Sequence, residues 1–263
     1  MNPNLTFVLI SSTNDVTIER TLESIVGTAH ILLIDGGPRK NISSHQHEIS
    51  LTELAKKFSC EYRKRDFAYA ANQYNFGIRN VKTEWAFIID SDETLSVDLR
   101  DFLNRGEFGS ATYYSVNRFN FFLGKKMRYG QFQPDWNIRL IRVGHCEYEE
   151  RKVHARMVTN GTGRKAPGYM SHFTVQSIDS FFSKMLEFSK LEIESRNREN
   201  TSNERKARLR AILQKLPFQA SLRFIYTYWV RLGFLDGREG YLLARSASFY
   251  EVLVQLHNLE KDG

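Results

Sequence analysis

Apolar residues recur along this chain in two spacings. Leu5 to Ile10 is a continuous run rich in β-formers, closed by the polar turn Ser11-Ser12-Thr13-Asn14. Ile18, Leu22, Ile25 and Val26 follow at i, i+4, i+7 and i+8, the spacing of one helix face, and Gly27 ends it. A second run, Ile31 to Ile34, stops at the sharp turn Asp35-Gly36-Gly37-Pro38. Strand, helix and strand in this order predict a βαβ unit, hence a parallel sheet buried on both faces. Leu51, Leu54, Ala55 and Phe58 mark a second helix, Ala70 to Ile78 a third, and Trp85 to Ile89 a third buried strand ending in Asp90-Ser91-Asp92-Glu93. Residues 111–150 are aromatic and alternate as strands, Thr112 to Val116 and Asn137 to Val143, which predicts partly antiparallel sheet. The segment 159–168 reads as a loop. From Ser177 onward helical patterns dominate: Ile178, Phe181, Phe182 and Met185 open one, and Leu242, Phe249, Val252, Leu253 and Leu256 form an apolar stripe. The expected organisation is an α/β domain over 1–175 with a helical region over 176–263.

Composition narrows the class. The 263 residues suit one large domain or a domain with an appendage. Cys60 and Cys146 are too few for a disulfide framework or a four-cysteine zinc site. The first residues lack the layout of a signal peptide, and no apolar run approaches the roughly 18 residues of a membrane span. The expectation is an intracellular protein, soluble or peripherally bound to a membrane. A net charge of +7 attracts anionic partners without choosing among nucleic acid, membrane and phosphorylated small molecule.

The chemistry gathers at strand ends. In open α/β sheets ligands bind outside the carboxyl ends of the parallel strands. Three such ends carry Asn14-Asp15, Asp35 and Asp90-Ser91-Asp92. Two carboxylates one residue apart after a buried strand suit a hard divalent cation, Mg²⁺ or Mn²⁺. The bland alternative, loop and N-cap residues, is outweighed by the coincidence of the three ends. Glycine-rich dinucleotide and P-loop signatures are absent. A cleft that holds phosphates through a metal fits better, because the metal neutralises a diphosphate leaving group. Arg139 and Arg142 lie at i and i+3 of one strand and so face opposite sides, one toward phosphate and one toward solvent.

These strand ends, together with Asn117 to Lys125, Pro134 to Arg142, Val153-His154 and Gly233 to Gly240, resemble the inverting glycosyltransferases of family 2 with the GT-A fold. Within that family they are similar to bacterial enzymes that add glucose or a related sugar to the lipopolysaccharide inner core, and the likeness spans essentially the whole chain. The resemblance implies a mainly parallel sheet flanked by helices with a C-terminal helical extension. It also implies a nucleotide-sugar donor, a glycan or glycolipid acceptor, and inversion. Asp35 would bind the nucleotide base, Asn14 and Asp15 would contact the nucleotide, Asp90 would meet the ribose or the metal shell, Asp92 would ligate the metal, and His172 would complete the metal or diphosphate site. Gln73, with Asn75, stands where the family has a polar pair near the donor, the bland reading being a helix surface.

The base is the departure. Where relatives carry Val-His-Glu this chain has Val153-His154-Ala155; Asp135, which follows Pro134 before a strand on the acceptor side, is the leading substitute for the proton acceptor, the bland reading being a turn residue, with Glu149 and Glu150 next. In the tail, Arg223, Arg231, Arg238 and Arg245 interleave with Phe224, Tyr226, Tyr228, Trp229, Phe234 and Tyr241. That mixture suits peripheral contact with an anionic membrane on the inner face of the cytoplasmic membrane. The competing expectation is that most of these aromatics pack onto the catalytic domain or onto a second subunit, an oligomer formed through the C-terminal helices. A sugar-nucleotide nucleotidyltransferase and a nucleic-acid-binding module are the competing functions. The first would need a glycine- and basic-rich loop after the first strand, and the second would meet repulsion from the strand-end carboxylates.

Overall fold

The structure is a computed structural model and describes residues 1–12, 16–37, 50–151, 155–175, 177–199 and 218–262. Strands β1 (Asn2–Ser11), β2 (Ala29–Asp35) and β4 (Trp85–Asp90) form its centre, with β1 parallel to both neighbours. Their unbroken apolar runs have the reason predicted: Leu5, Phe7, Val8 and Leu9 are sealed from solvent on both sheet faces. Helix α1 (Ile18–Ile25) buries Ile18, Thr21, Leu22 and Ile25 on one side, and α2 (Leu51–Lys57) is capped by the Ser50 side chain, which accepts from the Glu53 amide. Helix α3 (Ala70–Asn80) lies so close to β1 that a Cβ on Gly77 would sit 2.3 Å from Val8 Cγ1. That approach seats the start of α3 beside the strand ends.

Several elements were not foreseen from the pattern. Edge strand β3 (Glu61–Lys64) sets one aromatic, Tyr62, among charged residues and pairs with β2, while β5 (Glu93–Leu95) and helix α4 (Val97–Arg105) follow the Asp90–Asp92 turn. The expected loop 159–168 is corrected: strand β11 (Gly163–Val175) begins within it. Its first half buries only Ala166, so no alternation marks it, and it is held by pairing with β6 (Tyr113–Phe122) and β5. Strand β8 (Trp136–Arg142) runs antiparallel to β4 and β6. Among the described residues the sheet order is β3-β2-β1-β4-β8-β6-β11-β5, with β7 (Lys125–Lys126) paired to β6. A separate ribbon joins β9 (Cys146–Tyr148) to β10 (Met157–Thr159).

The chain forms two compact units, Met1–Arg118 with Asp135–His172, and Phe119–Pro134 with Phe173–Gly263. Within the second, helix α5 (Ile178–Glu199) precedes the helix Gln219–Ile225, a π-type turn Tyr226–Val230, a short 3₁₀ turn Gly233–Asp236 and the last helix Gly237–Asp262. The Gly233 to Gly240 motif is a clasp. The buried Asp236 carboxylate accepts from the amides of Arg128 and Tyr129, and Lys125 Nζ donates to the Asp236 carbonyl and to Glu239. A Cβ at Gly240 would lie 1.9 Å from the Gly233 carbonyl oxygen. Gly240→Ala is therefore expected to destabilise the fold by about 1–3 kcal/mol, read as a lowered melting temperature in calorimetry; an unchanged transition would show that this corner tolerates a side chain.

Candidate functional site

The parallel register aligns the strand ends: Ser11 of β1 pairs with Asp35 of β2, and Ile10 pairs with Asp90 of β4. The first unit thus brings Asp35 and Asp90 to the carboxyl edge on either side of β1. Asn14 and Asp15, the third predicted cluster, lie outside the described residues, as do Val153 and His154.

Asp35 is buried. Its Oδ1 accepts from the Gly37 amide at 2.8 Å and its Oδ2 from the Tyr62 hydroxyl at 2.6 Å. Burial, and then the carboxylate beside it, push the Tyr62 phenol up to about 12, so Tyr62 stays a donor to Asp35 at neutral pH. Gln73 is fully buried, not on a helix surface. Its amide nitrogen donates to the Arg65 carbonyl at 2.9 Å, while its carbonyl oxygen has no hydrogen-bond partner among the described residues. The reason is the tight seating of α3 on β1: Gln73 lies one turn before Gly77 on the same side of the helix, whereas Asn75 faces the β9 segment. Asn75 in turn holds both backbone groups of Tyr148, each at 2.8 Å.

Asp90 and Asp92 part company. Asp90 accepts from the Tyr74 hydroxyl on one oxygen and from Arg139 at 3.2 Å on the other. Burial holds the Tyr74 phenol well above its ordinary range, and the charge on Asp90 adds to this. Asp92 lies instead against His172, with Nε2 to Oδ2 at 3.3 Å. Pairing of β11 with β5, His172 opposite Glu93, places that imidazole. Arg142 is partly exposed and bonds Glu84 at 2.6 Å, whereas Arg139 is buried. The opposite-face expectation for the two arginines thus matches their burial, and the buried guanidinium is engaged by carboxylates of the chain itself.

The centre of this arrangement is Glu93, to which the sequence reading assigned no role. Its side chain is 0% exposed. Oε1 accepts from Arg139 at 2.6 Å and from Arg118 at 3.1 Å, and Oε2 accepts from the Asp90 amide at 3.0 Å. One carboxylate thereby ties the turn after β4 to β8 and β6. Burial raises the Glu93 carboxyl, with Arg139 acting against it; burial also opposes the Arg139 charge, but Glu93 and Asp90 outweigh it and hold that guanidinium protonated. Arg118 extends the network to Asp135, whose oxygens accept from Arg118 Nε and Asn137 Nδ2, both at 2.8 Å. Glu150 stands apart from these ion pairs, exposed at the end of the β9 segment. It accepts from the Tyr69 hydroxyl and, at 3.4 Å, from Asn75. The Tyr69 bond holds its carboxyl below the usual range.

Among the described residues no three metal-ligating side chains converge. The donor set that fits a divalent cation is Asp92 with His172: a carboxylate oxygen and an imidazole nitrogen suit Mn²⁺ or Mg²⁺, with room left in the coordination sphere for phosphate oxygens. Asp90 accepts one hydrogen bond on each oxygen, from Tyr74 and from Arg139.

A mainly parallel sheet with carboxylates at adjoining strand ends, continued by an antiparallel half, is the GT-A fold that the sequence resemblance implied. The mannosyltransferase PcManGT of Pyrobaculum calidifontis, solved with GDP-Man and Mn²⁺, shares this fold with a TM-score of 0.55 at 10% identity, over 100% of this chain and 89% of its own. Residues 7–181 match the model of glycosyl transferase family 2, and the chain belongs to that family; it is a glycosyltransferase. The lipopolysaccharide core biosynthesis glycosyltransferase LpsC of Rhizobium meliloti (strain 1021) is 22% identical over 253 residues, 95% of this chain and 89% of that protein. Staphylococcus aureus TarS matches 95% of this chain at 10% identity with a TM-score of 0.42, the match spanning 55% of the TarS chain.

Proposed function

We propose that this enzyme transfers a sugar, with inversion, from a UDP-linked donor to a cell-envelope glycan such as the lipopolysaccharide core, presented as a glycolipid at the cytoplasmic face of the inner membrane. The observation that carries this reading is the alignment of Asp35 and Asp90 on either side of β1, with Asp92 facing His172 beyond the turn. The similarity to LpsC supports the acceptor class. Asp35 is held by Gly37 and Tyr62 and retains lone pairs for the N–H of a nucleotide base. Asp92 and His172 would hold Mg²⁺ or Mn²⁺, and the metal when bound neutralises the diphosphate as it leaves. Arg139 and Tyr74 fix Asp90 where a ribose hydroxyl can donate to it. Asp135 serves as base. It takes the acceptor hydroxyl proton as that oxygen bonds to the anomeric carbon, and the bond to the diphosphate breaks with its electrons leaving on phosphate oxygen. Arg118 and Asn137 orient this carboxylate and leave it further acceptor sites. Glu150, exposed and bonded to Tyr69, is the alternative base.

Thermal-shift screening of nucleotide sugars with and without Mn²⁺ tests the donor. A UDP-sugar is expected to raise the melting temperature in the presence of metal, by the equivalent of about 2.7 kcal/mol at a hundredfold excess over its dissociation constant. If no nucleotide sugar shifts the transition under either condition, the donor proposal fails. Pyrophosphate release from a nucleoside triphosphate and a sugar phosphate would favour a nucleotidyltransferase instead.

A further inference from the structure

The tail aromatics divide into two sets. Phe224 and Tyr228 stack on each other with centroids 5.2 Å apart, and both pack edge-on against Tyr241 of the last helix. Their neighbours turn outward. Phe218, Leu222, Ile225, Tyr226, Trp229 and Val230 fall at i, i+4, i+7, i+8, i+11 and i+12, and each is between 44% and 66% exposed. The opposite side of the same stretch buries Thr227. Phe224 and Tyr228 thus pack within the tail itself, while Tyr226 and Trp229 stand half-exposed with the aliphatic residues, Trp229 resting by one edge on Tyr228 and on Phe234, with ring centroids at 5.2 Å and 5.5 Å.

The charge on this stretch has one sign. Residues 218–235 contain Arg223 and Arg231 and no aspartate, glutamate or lysine. Arg231 lies beside the outward face, its guanidinium 5.9 Å from the Tyr226 ring centre, and Arg223 reaches Glu251 only at 3.9 Å. A face shared between two copies about a two-fold axis would have to complement itself, and a patch with cations and no carboxylate does not. The stretch is also too short to cross a bilayer, and no helix among the described residues is long and apolar enough to do so. An apolar stripe bearing Trp, Tyr and Phe, flanked by arginine, has the chemistry of a helix lying in the headgroup layer.

We propose that the outward face of residues 218–230 docks this protein onto an anionic lipid bilayer. The inference extends the glycolipid-acceptor reading but rests on exposure and charge alone, so vesicle binding and sugar transfer succeed or fail separately. The test is co-sedimentation of the full chain with phosphatidylcholine vesicles and with vesicles containing phosphatidylglycerol. The native chain is expected to bind the anionic vesicles more strongly and to release them as salt rises. Trp229 fluorescence should shift to shorter wavelength on binding, and Trp229→Phe should remove that shift while binding persists. The triple variant Leu222→Glu, Ile225→Glu, Trp229→Glu should bind about tenfold more weakly while still folding, since these side chains are half-exposed and only Trp229 gives up ring contacts, with Tyr228 and Phe234. No binding by the folded native chain, or equal binding by the folded triple variant, would overturn the proposal. So would loss of a dimer in light scattering on the triple substitution without any vesicle binding by the native chain, which would make the face a contact between copies. Should the triple variant not fold, an unmoved Trp229 emission in the native chain with anionic vesicles would overturn it equally.

Discussion

Asp92→Ala is expected to lower sugar transfer by about a thousandfold, because a lost metal ligand removes several kcal/mol of stabilisation from the departing diphosphate. The protein should remain folded. Asp92 is partly exposed and its pairing with His172 spans 3.3 Å, so its removal should cost about 1–3 kcal/mol of stability, less than the fold holds in reserve. Turnover and calorimetry on the same variant give both readings. Near-normal turnover at saturating Mn²⁺ or Mg²⁺ would remove Asp92 from the metal site.

Glu93→Gln should behave in the opposite way. It removes the negative charge shared by Arg118 and Arg139, both held within 3.1 Å in the first unit. Breaking a buried pair from one side leaves uncompensated charge and costs about 3–5 kcal/mol, which at this size means a fall in melting temperature of roughly 10 °C. Transfer should fall as well, chiefly through a raised KM for the donor, since Glu93 also holds the Asp90 amide at the head of the turn. A variant with native stability would show that the network does not hold the turn. Asp92 and Glu93 are sequence neighbours, yet one mutation should silence the enzyme and the other should loosen it.

This contrast marks how far the sequence could be read. Strands β1, β2 and β4 were legible because burial on both faces leaves uninterrupted apolar runs. The same strands made Asp35, Asp90 and Asp92 stand out, since a carboxylate at the end of such a run has no core to enter. Strand β11 was not legible where it is exposed along most of its first half, nor was β3, four residues with Tyr62 the one aromatic among charges. Glu93 was visible as a letter in an acidic run, but its meaning depends on arginines 25 and 46 residues away, a distance no periodicity spans. Gln73 was hidden because a polar residue in an amphipathic helix reads as surface. The available signal was Gly77 one turn later, marking the side of α3 pressed against β1. For the tail, composition showed aromatics and arginines together, and only the fold separated the packed rings from the open ones.

The central claim is that these strand-end carboxylates hold a nucleotide diphosphate through a divalent cation. Calorimetric titration with UDP, in Mn²⁺ and again in EDTA, tests it most directly on the native chain and on Asp92→Ala. The proposal predicts that the native chain binds UDP at least about tenfold more tightly with Mn²⁺ than with EDTA, and that Asp92→Ala loses this difference while remaining folded. Equal UDP affinity with and without metal in the native chain, or an undiminished metal effect in Asp92→Ala, would contradict it.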